Sequence, residues 1–168
     1  MSVVQFKVGP QGEICFWSGP PLPKRRDPRA ESRTEVLDHV SLGVRDLERS
    51  RTFYDSVLRP LGLVRTVDFE GRGSDYGAMA GSLGAEFTIT AEKGDATPSR
   101  GMHLCFRAPD RAAVHAFHAA ALVSGGQSDG GPGLRPQYHR DYFAAFVLHP
   151  DGHRIEAVCH APEATITV

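Results

Sequence analysis

The chain has 168 residues, 40% of them apolar, and a formal net charge of −1. That length suits one domain or two small modules sharing a core, and the apolar content excludes general disorder. The balanced charge argues against a nucleic-acid binder, which carries a basic excess or a basic face. The one basic cluster, Lys24-Arg25-Arg26, lies in a Pro-rich stretch and reads as a solvated linker.

Cys15, Cys105 and Cys159 form neither a CxxC pair nor an even set, so neither a structural zinc site nor a disulfide framework is expected. Such cysteine usage fits a reducing cytoplasm. Lys7, Gly9, Pro10 and Glu13 interrupt any apolar leader, and no apolar run is long enough to span a bilayer. The expectation is a soluble, cytoplasmic protein without a nucleic-acid or membrane partner.

Residues 1–35 form an N-terminal extension. Segments 3–8 and 13–17 can pair as a hairpin around Gly9-Pro10-Gln11-Gly12, ahead of a Pro- and Arg-rich linker. That hairpin either docks on the domain, packs in a dimer, or stays poorly ordered; the residues do not choose between these.

Residues 36–162 read as one domain containing an internal repeat. At an offset of 64 residues, that from His39 to His103, Asp46 meets Asp110, Phe53 meets Phe117 and Leu58 meets Leu122. Each half opens with a strand of period two. Val40, Leu42 and Val44 oppose His39 and Ser41 in the first, and Leu104, Phe106 and Ala108 oppose His103 and Cys105 in the second. An Asp then caps a helix, over 47–59 and 110–123, with Phe53, Tyr54, Val57 and Leu58 on one apolar side and Val114, Phe117, Ala121 and Leu122 on the other. Leu61-Gly62 and Gly125-Gly126 stop the helices. Three strands follow in each half, near 63–69, 75–80 and 85–91, then near 134–138, 142–148 and 153–159, with Pro150-Asp151-Gly152 as a tight turn. Tyr76-Gly77-Ala78-Met79-Ala80 resembles Tyr142-Phe143-Ala144-Ala145-Phe146. The halves are thus β-α-β-β-β twice, over 36–92 and 101–160, an α+β arrangement joined by a polar linker at 93–100.

The last strand of each half carries a glutamate out of phase with its apolar neighbours: Glu86 beside Phe87, and Glu156 between Ile155 and Ala157. A carboxylate in a buried strand is costly unless paired or metal-bound. One His and one Glu per repeat, His39 with Glu86 and His103 with Glu156, would converge about a pseudo-twofold axis. That mixed N/O set suits one divalent ion, Fe, Mn, Ni, Co or Zn, with positions open for substrate. Glu86 is the weaker member, because a solvated edge glutamate explains it equally well. His115 and His118 read as helix-surface residues; His149, His153 and His160 read as solvated turn residues. Tyr138-His139-Arg140-Asp141-Tyr142 is either a loop at the mouth of a cleft, with His139 or Tyr138 binding substrate or moving a proton, or a polar turn with packed tyrosines.

The stretch LDHVSLGVRDLERSRTFYDSVLRPLGL resembles the opening of glyoxalase/bleomycin-resistance/extradiol-dioxygenase proteins, the vicinal-oxygen-chelate superfamily, and FVLHPDGHRIEAVCH resembles their closing strand. The resemblance spans residues 36–160. It implies paired βαβββ modules forming a half-open curved barrel around a metal cleft, a small-molecule substrate held through adjacent oxygens, and a homodimer. It also implies His39, His103 and Glu156 as metal ligands, Glu86 as the additional glutamate of the lactoylglutathione-lyase branch, and Glu156 or Glu86 as a base. Two functions follow as expectations: a metal-dependent lyase, isomerase or dioxygenase, or a metal-free protein that sequesters a small molecule or antibiotic. Phe69, Tyr76, Trp17 and Phe146 are candidate pocket-lining residues for either.

Overall fold

The computed structural model describes residues 6–8, 14–16, 37–78, 86–94 and 98–163. The chain divides into two compact units, Met1–Val36 and Leu37–Val168. In the first, β1 (Phe6–Val8) pairs antiparallel with β2 (Ile14–Phe16), Lys7 opposite Cys15. The hairpin's turn, its outer residues and Trp17 lie outside the described residues.

The second unit repeats one motif. β3 (Val40–Val44) leads into α1 (Leu47–Leu58), a 3-10 turn Arg59–Leu61, then β4 (Leu63–Phe69), β5 (Gly73–Ala78) and β6 (Phe87–Ala91). β7 (His103–Arg107) leads into α2 (Arg111–Val123), β8 (Gln127–Leu134), β9 (Phe143–Leu148) and β10 (Arg154–Cys159). The strand orders are β3-β6-β5-β4 and β7-β10-β9-β8. In each sheet the first strand runs parallel to the last while the other neighbours are antiparallel. These are two open four-stranded mixed sheets, each crossed by a helix, not closed into a barrel.

The helices start where the side chains dictate. Asp46 accepts the Arg49 N–H at 3.0 Å and Asp110 accepts the Ala113 N–H at 2.7 Å, each satisfying an orphan donor of the first turn. After them the chain turns at Gly62 and Gly125, both at φ 86°, where a Cβ would be strained. Phe53, Tyr54, Val57 and Leu58 are fully buried, as are Val114, Phe117 and Ala121, and both helices share one core cluster. Leu122, expected on that stripe, is 46% exposed; the buried arc of α2 is narrower than the apolar one.

The strand expected at 134–138 is instead a turn, in which Tyr138 N–H reaches the Arg135 carbonyl at 2.9 Å. The pairing strand is the glycine-rich β8, with register shifts between Ser128 and Gly130 and between Gly130 and Gly133. Its Pro132 is tolerated because β8 is an edge strand that need not donate on its outer side. Tyr76, expected to line a pocket, is fully buried beneath α1 against Tyr54 and Phe87. Tyr76 and Tyr142 therefore are not equivalent, since Tyr142 stands before its strand and faces the opposite side.

The turn between β9 and β10 corrects a further expectation. His149 and His153 are buried, at 2% and 8% exposure. The turn docks on the start of α1: Asp151 accepts the Arg45 N–H at 2.8 Å and also pairs with the Arg49 guanidinium, while His153 Nε2 donates to the Gly43 carbonyl at 2.8 Å. His149 stacks on Tyr54, with centroids 5.1 Å apart, and meets Phe53 edge-on. Its Nδ1 accepts the Asp151 N–H at 2.9 Å. These contacts tie the second module to the first. Among the described residues no helix is long and apolar enough to cross a membrane.

Candidate functional site

The period-two alternation leaves one face of each sheet uncovered by its helix. On the second module that face carries His103 and Cys105 from β7, Arg154 and Glu156 from β10, and Phe146 from β9, with Glu156 beside Cys105 on one side and Phe146 on the other. Glu156 is 2% exposed. Its Oε1 accepts the Tyr142 hydroxyl at 2.7 Å, and its Oε2 lies 3.3 Å from His103 Nε2. A carboxylate this deep is tolerated because both oxygens have partners. Desolvation and then the bond to Glu156 hold the Tyr142 phenol well above its ordinary range, so it stays a donor. Cys105 is exposed as a residue, yet its thiol end lies against Glu156 and Tyr142. That partial desolvation, reinforced by the carboxylate charge, pushes the thiol up to about 12 and keeps it protonated.

Two cavities flank this cluster. One, of about 370 Å³, is lined by Leu37, Leu63, Glu86, Phe87, His103 and Phe106 among others. The second, about 280 Å³, is lined by His103, Asp129, Arg135, Gln137, Tyr138, Phe146 and Arg154.

Residues 36–157 match the sequence profile of the Glyoxalase/Bleomycin resistance protein/Dioxygenase superfamily. The chain belongs to this superfamily. A glyoxalase/bleomycin resistance protein from Albidiferax ferrireducens is 34% identical, covering 74% of this chain and 98% of that one at a TM-score of 0.66. A glyoxalase/bleomycin resistance protein/dioxygenase family enzyme from Burkholderia phytofirmans shares the fold at 16% identity, 74% and 98% coverage and a TM-score of 0.57. A mutant of glyoxalase I from Zea mays shares it at 23% identity and a TM-score of 0.54, over 74% of this chain and 46% of that one. No curated protein matches the chain.

Against this superfamily fold, the four candidate ligands separate. His103 and Glu156 come together; His39 and Glu86 do not join them within one chain, since no group of three His, Cys, Asp or Glu side chains able to hold a metal occurs among the described residues. His39 is exposed and its Nδ1 sits 2.7 Å from Asp38 Oδ1. Glu86 is exposed and precedes β6 rather than lying in it. It does line the larger cavity with His103.

The strand registers also correct the pairing of the two glutamates. Leu104 sits beside Ile155 and Val40 beside Phe87. With His39 equivalent to His103, the first-module counterpart of Glu156 is Thr88, and the counterpart of Arg154 is Glu86. Thr88 is buried and donates its hydroxyl to Asp75 Oδ1 at 2.6 Å. The segment between helix and last strand is longer in the second module, so matching glutamate to glutamate in the sequence slips the register by two residues.

Of the expected acid–base residues, Tyr138 is 62% exposed and lines the smaller cavity, with its ring 4.8 Å from Tyr142. His139 bonds His160 at 2.8 Å and accepts the Asp141 N–H at 3.1 Å; it lines neither cavity named above. Tyr142, the residue that touches Glu156, stands in that loop in the sequence with no site role of its own. Counting back by twos from Phe146 puts it on the open face, and that phase was the available signal.

Proposed function

We propose that the chain is a metal-dependent enzyme acting on a small oxygenated substrate, and that His39, His103 and Glu156 hold one divalent ion. The observation that carries this reading is the His103–Glu156 pair, a buried carboxylate and an imidazole 3.3 Å apart beside open cavities. Its chemistry fits a borderline metal such as Fe, Mn, Ni, Co or Zn as part of a mixed N/O set. The third ligand, His39, comes from a second copy of the chain, because within one chain it stays outside the pair. Thr88 at the fourth register position argues for three protein ligands rather than four. Two imidazoles and one carboxylate with open positions favour Fe(II) oxygen chemistry of the dioxygenase type over the four-ligand lyase. When bound, the metal supplies Lewis-acid binding for adjacent substrate oxygens.

The chain's own residues have defined tasks. Tyr142 fixes the orientation of Glu156 through one oxygen and leaves the other for the metal side. Tyr138, at the smaller cavity, presents a phenol to the bound molecule. Glu86, displaced by two residues from the ligand position, contributes to the cavity wall and not to the ligand set.

The test is complementation. His39→Ala and His103→Ala chains each lose metal binding when alone. Dissociated, mixed and reassembled, they recover about a quarter of the wild-type metal if each site draws one module from each copy. Recovery of none, with dimers formed, places the whole site in one chain. The larger cavity, with Leu37, Leu63, Phe87 and Phe106 in its wall, favours a second reading, a metal-free binder of an apolar small molecule. Wild-type protein that takes up none of the five metals would leave that reading in place.

A further inference from the structure

We propose that the smaller cavity is a subsite for a singly charged carboxylate on the bound molecule, with Arg135 as its receptor. Calling that molecule the substrate rests on the metal-site reading above; the anion site itself does not. Arg135 begins the turn after β8 and is pinned there, its N–H on the Tyr142 carbonyl at 2.7 Å and its own carbonyl accepting the Tyr138 N–H at 2.9 Å. The guanidinium is also fixed, donating to the Gly131 carbonyl at 2.7 Å and the Leu134 carbonyl at 3.2 Å, with its carbon 5.7 Å from the Phe146 ring centroid. Glycine at 133 makes room, since a Cβ there would come within 3.0 Å of Arg135 Nη1.

The charges around it do not cancel. Arg154 also lies over Phe146, at 5.1 Å, but its Nε is neutralised by Asp129 Oδ2 at 2.5 Å. Among the described residues Arg135 bonds carbonyls only and has no carboxylate partner, so part of its five-donor fork is uncommitted. A pre-positioned planar fork recognises a carboxylate through two parallel bonds. Arg135 and Arg154 set two positive charges on this cavity against the one carboxylate of Asp129, which leaves room for one negative charge. His103 and Gln137 line the same cavity, so the anion would sit beside the His103–Glu156 pair. The volume, about 280 Å³, admits a small acid or the acidic end of a larger molecule.

The experiment titrates metal-stripped, isotope-labelled full-length protein with sodium benzoate, with neutral benzamide and with inorganic phosphate, following amide and arginine side-chain NMR signals. The expected result is saturable benzoate shifts centred on residues 130–138 and the Arg135 guanidinium, about tenfold or more weaker for benzamide and for Arg135→Gln. Arg135→Lys, which keeps the charge but loses the fork, falls between, and the spectra themselves report that each variant is folded. Absence of saturable shifts, equal binding of benzamide, or tighter binding of phosphate than of benzoate overturns the proposal. Metal uptake by Arg135→Gln is measured beside it and is expected to be unchanged. Benzoate binding at Arg135 in a protein that takes up no metal supports the subsite while removing the metal reading. Normal metal uptake without benzoate binding removes the subsite alone.

Discussion

His149 makes the docked turn between β9 and β10 sensitive to acid. Burial comes first among the causes that push its imidazole from 6.5 down to about 4; His153 and the Arg49 guanidinium push the same way, while Asp151 opposes them. Its Nδ1 accepts a bond, so Nε2 carries the proton, buried and without a hydrogen-bond partner. The folded chain thus holds His149 neutral at pH values where the unfolded chain protonates it. Because the folded value lies below the unfolded one, the contribution is fully present above pH 6.5 and lost as pH falls toward 4. At about 1.4 kcal/mol per pH unit the complete loss is about 3 kcal/mol, and about 2 kcal/mol is already gone at pH 5. His149→Phe keeps the ring contacts with Phe53 and Tyr54 but cannot titrate. It leaves the Asp151 N–H unsatisfied, costing about 1–3 kcal/mol at pH 7.5. Urea denaturation at pH 7.5 and pH 5 should show the wild type losing about 2 kcal/mol more than the variant over that interval. Parallel losses in the two proteins would refute the assignment of a buried neutral imidazole.

Three further outcomes are expected. Tyr142→Phe removes one of Glu156's two partners and should weaken metal binding by about 10- to 100-fold without loss of fold, read by competition with a chelating dye. Glu86→Gln should leave metal content unchanged while Glu156→Gln abolishes it, by elemental analysis of the purified proteins; equal loss in both would contradict the register argument. Asp151→Ala strips the acceptor from the Arg45 N–H and leaves Arg49 unpaired, and should cost about 2–4 kcal/mol in chemical denaturation at neutral pH.

Much of the fold was legible because local chemistry and the repeat agree. Asp46 and Asp110 cap at the same offset as His39 and His103, and the buried stripe Phe53, Tyr54, Val57, Leu58 follows helical spacing. β8 does not show in the pattern because GGPG reads as a loop, and only its place at the sheet edge lets it pair. The burial of His149 and His153 is a tertiary event: their turn is polar in sequence and becomes interior only by docking on α1. Within the site, period two placed His103 and Glu156 on one face. It could not match Thr88 to Glu156 as equivalent positions of the two modules, because that equivalence depends on parallel registers set by segments of unequal length.

The proposed function stands on a metal held through His103 and Glu156. Its most direct test is metal quantification on untagged protein purified without chelator, beside His103→Ala. The wild type is expected to carry about one divalent ion per chain and the variant almost none. A wild type that carries no metal and takes up none of Fe(II), Mn, Ni, Co or Zn would contradict it and make the pair a structural contact beneath a ligand-binding cleft.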